Sequence, residues 1–207
     1  RMVGVPYREA IGSLLFLAVR TRPDIAVAVS ILSKHVQCPR PCHWEGIKRV
    51  LRYLKGTMSM GLTYNGEDSS PALKIYCDAD WATDPEDRHS RSGVVCFLGK
   101  NLVSWSSRKQ STPSVSSCEA EYVSLFEAGR DAVWIRSLMC DLGLCPGSTP
   151  TQILHENQGS IALAEGGLQK VKHVELKYHH SQYLISTGQI KISYVASALN
   201  AADCMTK

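Results

Sequence analysis

The chain has 207 residues, 44% hydrophobic and 20% charged, with a formal net charge of +4. That is enough for one substantial core, or one domain plus a smaller piece, in an ordinary globular protein. The longest apolar stretch, AIGSLLFLAV at 10–19, is too short to span a bilayer, so no membrane partner is expected.

The first 66 residues carry ten Lys/Arg against three Asp/Glu, an excess of +7, and the remainder carries an excess of −3. Two functional pieces are therefore expected, a basic one suited to a polyanion and an acidic one whose charges suit metal. Arg1 is not an initiator methionine and no secretory signal opens the chain, so it reads as a piece of something longer. Its eight cysteines then read as free thiols. HVQCPRPCH (His35, Cys38, Cys42, His43) has metal-ligand residue types, but its spacing matches no common zinc pattern and a proline-containing loop is the better reading.

The first segment reads as helical. After Pro41 the spacing predicts a helix with Trp44, Ile47, Val50, Leu51 and Leu54 on one face and Lys48, Arg49, Arg52 and Lys55 on the other, closed by Gly56. The basic stripe reads either as a solvated face or as a surface for backbone phosphates. The turn-rich stretch 64–72 reads as a linker. Strands follow at LKIYCDA, SGVVCFLG (92–99) and NLVSWSSR (101–108), then a long helix from Ser116 to Leu142 and a strand at TQILHEN (151–157). A helix at 173–187, a strand at 189–196 and a last helix in NAADCMTK complete the order β-β-β-α-β-α-β-α. This predicts an α/β chain, a mixed sheet with helices on it.

Four acids stand at the ends of these elements. Asp78 follows the apolar strand Ile75–Cys77, and Glu156 ends TQILHE. Ser116 and Glu119 have capping-box spacing, which gives Glu119 a structural job. Glu121 shares the apolar stripe of Leu125, Ala128, Ala132 and Ile135, a costly place for an acid without a partner. Asp203 lies three residues past the N-cap candidate Asn200 and reads as a capping carboxylate or a fourth ligand. Four converging carboxylates require divalent cations, and two ions about 4 Å apart form the clamp for in-line attack on a phosphodiester. Asp80 and Asp84 read as turn acids.

The motifs YCDADWATDPEDRHSRSG, VSWSSRKQSTPSVSSCEAEYVSL, HENQGSIAL, VKHVELKYH and AADCMTK closely resemble the ribonuclease H domain of copia-type LTR-retrotransposon Pol polyproteins. The upstream stretch from YREAIGSLLFLAV through HWEGIKRVLRYLKGT to GLTY resembles the end of the same polyprotein's reverse transcriptase, its thumb and connection. The resemblance implies a small, mainly helical thumb/connection segment at 1–66 and a ribonuclease H-like fold at 67–207. It implies cleavage of the RNA strand of RNA–DNA hybrids during reverse transcription. It also implies two Mg²⁺ ions, with Mn²⁺ as a substitute, held by Asp78, Glu121, Glu156 and Asp203. Asn157 and Gln158 match residues beside the third acid, and Arg108, Lys109 and Gln110 fall in a hybrid-contact region. The implied partners are the hybrid and the remainder of the reverse transcriptase, in an intracellular virus-like particle or the nucleus.

The chain departs from the family's usual pattern at Glu156, where Asp is usual, at His155, where a Cys or small residue is common, and in KHVE, with Glu175, for KHID. The aspartate pair of a polymerase does not occur upstream of the linker, so no DNA synthesis is expected. The competing expectation is a catalytically degenerate module that binds or connects. The integrase class shares the fold but matches the order of acids only partly.

Overall fold

The computed structural model describes residues 4–66, 72–144, 147, 149–166 and 175–207, with side chains of the last segment from 179 onward. Residues 67–71 of the expected linker, 173 and 174 of the expected helix, and Cys145 lie outside them. The chain divides into two compact units, Arg1–Thr63 and Tyr64–Lys207.

The smaller unit is built from α1 (Tyr7–Arg20), a 3₁₀ turn (Pro23–Ile25), α2 (Ala26–Ser33) and α3 (Pro41–Gly56). Tyr7, Ile11, Leu14, Ala18, Ile25, Val29, Ile47 and Val50 form its core. Pro41 opens α3, where a missing N–H costs nothing and the fixed φ suits the helix. Arg22 ties the 3₁₀ turn to the end of α3 by donating to Asp24 and to Thr57 Oγ1, each at 2.7 Å, while Tyr53 donates to Asp24 at 2.9 Å. Two expectations are corrected here. Gly56 is the last helical residue and Thr57 is the cap, with φ −126°. Leu51 is exposed among Glu45, Lys48, Arg52 and Lys55 because the core takes its stripe from Ile47, Val50 and Leu54. His35 and His43 stack with ring centroids 3.6 Å apart, and Cys38 and Cys42 are exposed. No disulfide joins the seven described cysteines.

The larger unit holds β1 (Leu73–Asp80), β2 (Arg91–Leu98), β3 (Asn101–Lys109), α4 (Ser117–Asp141), β4 (Thr151–His155), α5 (Gln158–Ala164), α6 (Glu175–Ser186) and β5 (Ile190–Tyr194). The sheet order is β3-β2-β1-β4-β5. β1, β2 and β3 pair antiparallel, and β4 joins β1 and β5 in parallel. This is the mixed sheet that the order of elements predicts, and its topology is ribonuclease H-like. Ile75, Cys77, Val94, Cys96, Ile153 and Ile192 face Tyr122, Leu125, Ala128 and Ala132 of α4 in one core. Each large apolar side chain fully buried there stabilises the fold by about 1.5–3 kcal/mol.

Ser116 caps α4, accepting from Glu119 N–H at 3.2 Å, while Glu119 Oε2 accepts from Val115 N–H at 2.7 Å. The reciprocal spacing therefore does its structural job, one residue further out than the cap itself. β4 stops at His155, short of the expected 157, because Asn157 caps the short α5 by accepting from Ser160 N–H at 2.9 Å. The last expected helix is a 3₁₀ turn, Ala201–Met205, capped by Asn200.

Candidate metal centre

The parallel register of β1 and β4 pairs Cys77 with His155. The next residues sit side by side, at strand spacing of about 4.8 Å: Glu156 just past the end of β4, and Asp78 still inside β1 opposite Gly93, since β1 runs on to Asp80 and does not end before Asp78 as the sequence suggests. Glu121, on the second turn of α4, completes the group: one oxygen from each of Asp78, Glu121 and Glu156 lies within 4.8 Å of the others. Ser124, one turn further along α4, fixes this approach by donating to Asp78 O at 2.7 Å.

Like charges at that separation repel by on the order of 3 kcal/mol per pair at an effective dielectric of about 20. The group responds as expected. Burial, then Asp78 and Glu156, push Glu121 up to about 8. Burial likewise raises Asp78, opposed by the hydroxyl of Thr206 and helped by Glu156 and Asp203. Glu121 Oε2 is buried and accepts no hydrogen bond. Its near neighbour is His155 Nε2 at 3.8 Å. That imidazole is fully buried, contacts Ser160 Oγ at 2.5 Å, and burial lowers it to about 4, so it is neutral and supplies no charge to Glu121.

Asp203 stands apart from the group of three. It lies on the terminal 3₁₀ turn and is ion-paired with Lys207. Thr206 from the same turn donates to Asp78 Oδ2. Asn200 donates to Cys77 O at 3.1 Å and reaches Glu156 Oε2 at 3.5 Å. The turn packs closely on β2: a Cβ on Gly93 would sit 2.7 Å from Met205 Cβ and 2.8 Å from Ala202 O.

The other expected contact residues divide. Arg108 and Gln158 are exposed. Lys109 is paired with Asp84 at 3.0 Å and with Asp87, and so holds the β1–β2 loop. Gln110 is a correction: it is buried, and its amide donates to Ser92 Oγ and Ala120 O at 2.9 Å each, which makes it an internal strut. Asn157 spends its oxygen on the α5 cap. Lys48 pairs with Glu45, while Arg49, Arg52 and Lys55 lie exposed along α3. Sequence reasoning missed Thr206 and Ser124, and it singled out His155 as a departure from the family's usual residue, not as a buried neighbour of Glu121. Of the two that were missed, only Thr206 carried a signal, its place in the AADCMTK motif beside Asp203.

The donors are all oxygens, one of them buried and unpaired, and they fit a hard divalent cation. Among the described residues this is the one group of three or more metal-ligand side chains brought together. A five-stranded mixed sheet with one carboxylate on β1 and another just past β4 has the ribonuclease H-like arrangement.

Comparison with known proteins agrees. The retrovirus-related Pol polyprotein from transposon TNT 1-94 of Nicotiana tabacum is 35% identical over 208 residues, covering all of this chain and 15% of that protein. The secreted RxLR effector protein 161 of Plasmopara viticola is 47% identical over 134 residues, covering 65% of this chain and 94% of that protein. A solved foamy viral protease-reverse transcriptase in complex with dsDNA shares the fold at a TM-score of 0.57 and 12% identity, over 91% of this chain and 38% of that one. No protein-family model matches the chain. Over nearly its whole length the chain is thus a relative of one part of the retrovirus-related Pol polyproteins of plant transposons, and its larger unit has the ribonuclease H-like fold. It spans 14–15% of the length of the Pol polyproteins from TNT 1-94 and RE2.

Proposed function

We propose that this chain hydrolyses the RNA strand of RNA–DNA hybrids, as the ribonuclease H of a retrotransposon reverse transcriptase. The observation that carries the reading is the trio of Asp78, Glu121 and Glu156, whose oxygens converge within 4.8 Å around a buried oxygen with no hydrogen-bond partner. A pair of Mg²⁺ ions, or Mn²⁺ in their place, would supply the positive charge that offsets these carboxylates and the charge developing on a phosphodiester.

The chain's own residues do the positioning. Thr206 orients Asp78, Asn200 steadies Glu156, and Ser124 holds the β1 end against α4. Asp203 would serve as a fourth ligand once freed from its ion pair with Lys207. Water attacks phosphorus in line, leaving a 3′-hydroxyl and a 5′-phosphate, and no side chain forms a covalent intermediate. Cys118, near the acids, is then a small helix residue. The smaller unit is the thumb/connection, and Arg49, Arg52 and Lys55 on α3 meet backbone phosphates. The natural partners are the hybrid and the rest of the reverse transcriptase. Among the described residues no helix is long and apolar enough to cross a membrane.

A second reading is a catalytically degenerate module. Asp203 bound to Lys207, and Glu156 in place of the family's Asp, favour it. So does the effector protein that this chain covers almost completely. The test is incubation of the purified chain with end-labelled RNA annealed to DNA, in Mg²⁺ or Mn²⁺. RNA cleavage that EDTA abolishes supports the nuclease. Intact RNA in both metals, with the hybrid still bound, supports the module.

A further inference from the structure

His155 ends β4, one residue before Glu156, and is fully buried. Both ring nitrogens have neighbours: Nε2 lies 2.5 Å from Ser160 Oγ, and Nδ1 lies 3.3 Å from Cys77 Sγ. Those neighbours decide which nitrogen carries the hydrogen. The ring is neutral, so it has one N–H to place. Ser160 gives its own hydroxyl hydrogen to Asn157 O at 2.8 Å, and its oxygen is then free to accept from Nε2–H. Nδ1 keeps its lone pair toward the Cys77 thiol, which donates to it at 3.3 Å rather than to Leu154 O at 3.9 Å. The other tautomer would donate from Nδ1 to Cys77 O at 3.3 Å. It would also leave Nε2 with only a lone pair to offer Glu121 Oε2, 3.8 Å away. A metal-ligating carboxylate is ionised, so two electron-rich atoms would then oppose each other inside the core.

Among the described residues nothing donates to Glu121 Oε2, although that oxygen is buried. The Ala79 N–H serves the same carboxylate from β1. We infer that His155 is a positioning residue for the metal centre: its Nε2–H, shared between Ser160 Oγ and Glu121 Oε2, orients the Glu121 carboxylate toward a divalent cation. This rests on the metal-dependent nuclease reading above. A donor that holds a ligating carboxylate from behind fixes its orientation and strengthens its hold on the ion. Such bonds run long in unliganded sites and tighten when the ligand arrives. From 3.8 Å the gap to a normal N–H···O bond is about 1 Å. A neutral ring suits this task, because it directs the oxygen without supplying a full charge that would compete with the cation.

The experiment measures Mg²⁺ binding to the full chain by titration calorimetry, without nucleic acid, with circular dichroism confirming each variant's fold. His155→Gln keeps an N–H donor at similar reach, and His155→Met fills similar space with none. His155→Met should weaken Mg²⁺ binding by about 10–100-fold, the scale of losing a donor behind a metal ligand. His155→Gln should keep most of the affinity. Nitrogen-15 NMR of the wild-type ring should place the hydrogen on Nε2, with its resonance moving as Mg²⁺ is added. Equal Mg²⁺ affinity in wild type and His155→Met overturns the inference. An equal loss in both variants also overturns it and assigns the ring to packing alone. Hydrogen on Nδ1, or an Nε2 proton that ignores Mg²⁺, overturns it even if neither variant folds. A wild type that binds no Mg²⁺ overturns both the inference and the metal centre. A wild type that binds Mg²⁺ but never cleaves hybrid, with His155→Met still weakening the binding, supports the positioning role and rejects the nuclease reading.

Discussion

At the residue scale, Glu121 and His155 make opposite contributions to stability. Glu121 has a folded value of about 8 against 4.5 unperturbed, so its contribution is complete below about 4.5 and is lost as pH rises through 8. His155 is lowered to about 4 from 6.5, so its contribution is complete above about 6.5 and is lost as pH falls through 4. Of these two, only Glu121 titrates between pH 6.5 and 8. In EDTA the protein should lose on the order of 1–2 kcal/mol across that window. Glu121→Gln should flatten the loss, as read by denaturant titration, and a wild-type stability that rises there would contradict the site's electrostatics. Glu156 has a second consequence. It reaches about 1.5 Å further than the family's Asp, and placement errors of about 1 Å can cost up to about 100-fold in rate. Glu156→Asp should raise the single-turnover rate in saturating Mg²⁺, by about tenfold on that scale. An equal or lower rate would show that the longer side chain is suited to its place. Asp78, Glu121 and Glu156 were legible because each broke an apolar pattern, whereas Asp203 was marked only by its place after the Asn200 cap. The contacts that Thr206 and Ser124 make were not legible, since a hydroxyl's partner 128 or 46 residues away leaves no trace in local sequence.

At the scale of elements, the centre depends on how closely the terminal 3₁₀ turn approaches β2. Gly93 pairs with Asp78 across β1 and β2, and its missing side chain leaves room for Met205 and Ala202. Gly93→Ala should push the turn outward, carrying Thr206 and Asp203 with it. A cost of about 1–3 kcal/mol is the usual price of overpacking. Calorimetric melting together with the cleavage rate checks this, and a variant with full activity would mean that the turn's position is unimportant. The strands and α4 were readable from alternation, stripe and cap. Short elements were less so: α5 is too brief for a helical period, and only the Asn157 cap marks it. Gln110 misled because closeness to the helix start suggested an outward contact, whereas its amide satisfies groups on β2 and α4.

For the whole molecule, charge is the property that sequence shows and folding arranges. The +7 excess of the first 66 residues includes Arg49, Arg52 and Lys55, exposed on α3. If they neutralise phosphates, changing all three to Gln should reduce the salt slope of hybrid binding by about 2–3, at about 0.9 per contact. An unchanged slope would leave them a solvated face. The two-piece organisation was visible in that charge asymmetry and in the polar stretch before β1, while the geometry of each piece was not. The claim on which the account turns is that the carboxylate trio performs metal-dependent cleavage, and Asp78→Asn tests it most directly. The substitution removes a charged ligand while keeping shape and hydrogen bonding. In saturating Mg²⁺ with labelled hybrid, the variant should fold as wild type does, melt no lower in EDTA, and lose cleavage entirely. Full wild-type cleavage by a folded Asp78→Asn protein would contradict the account.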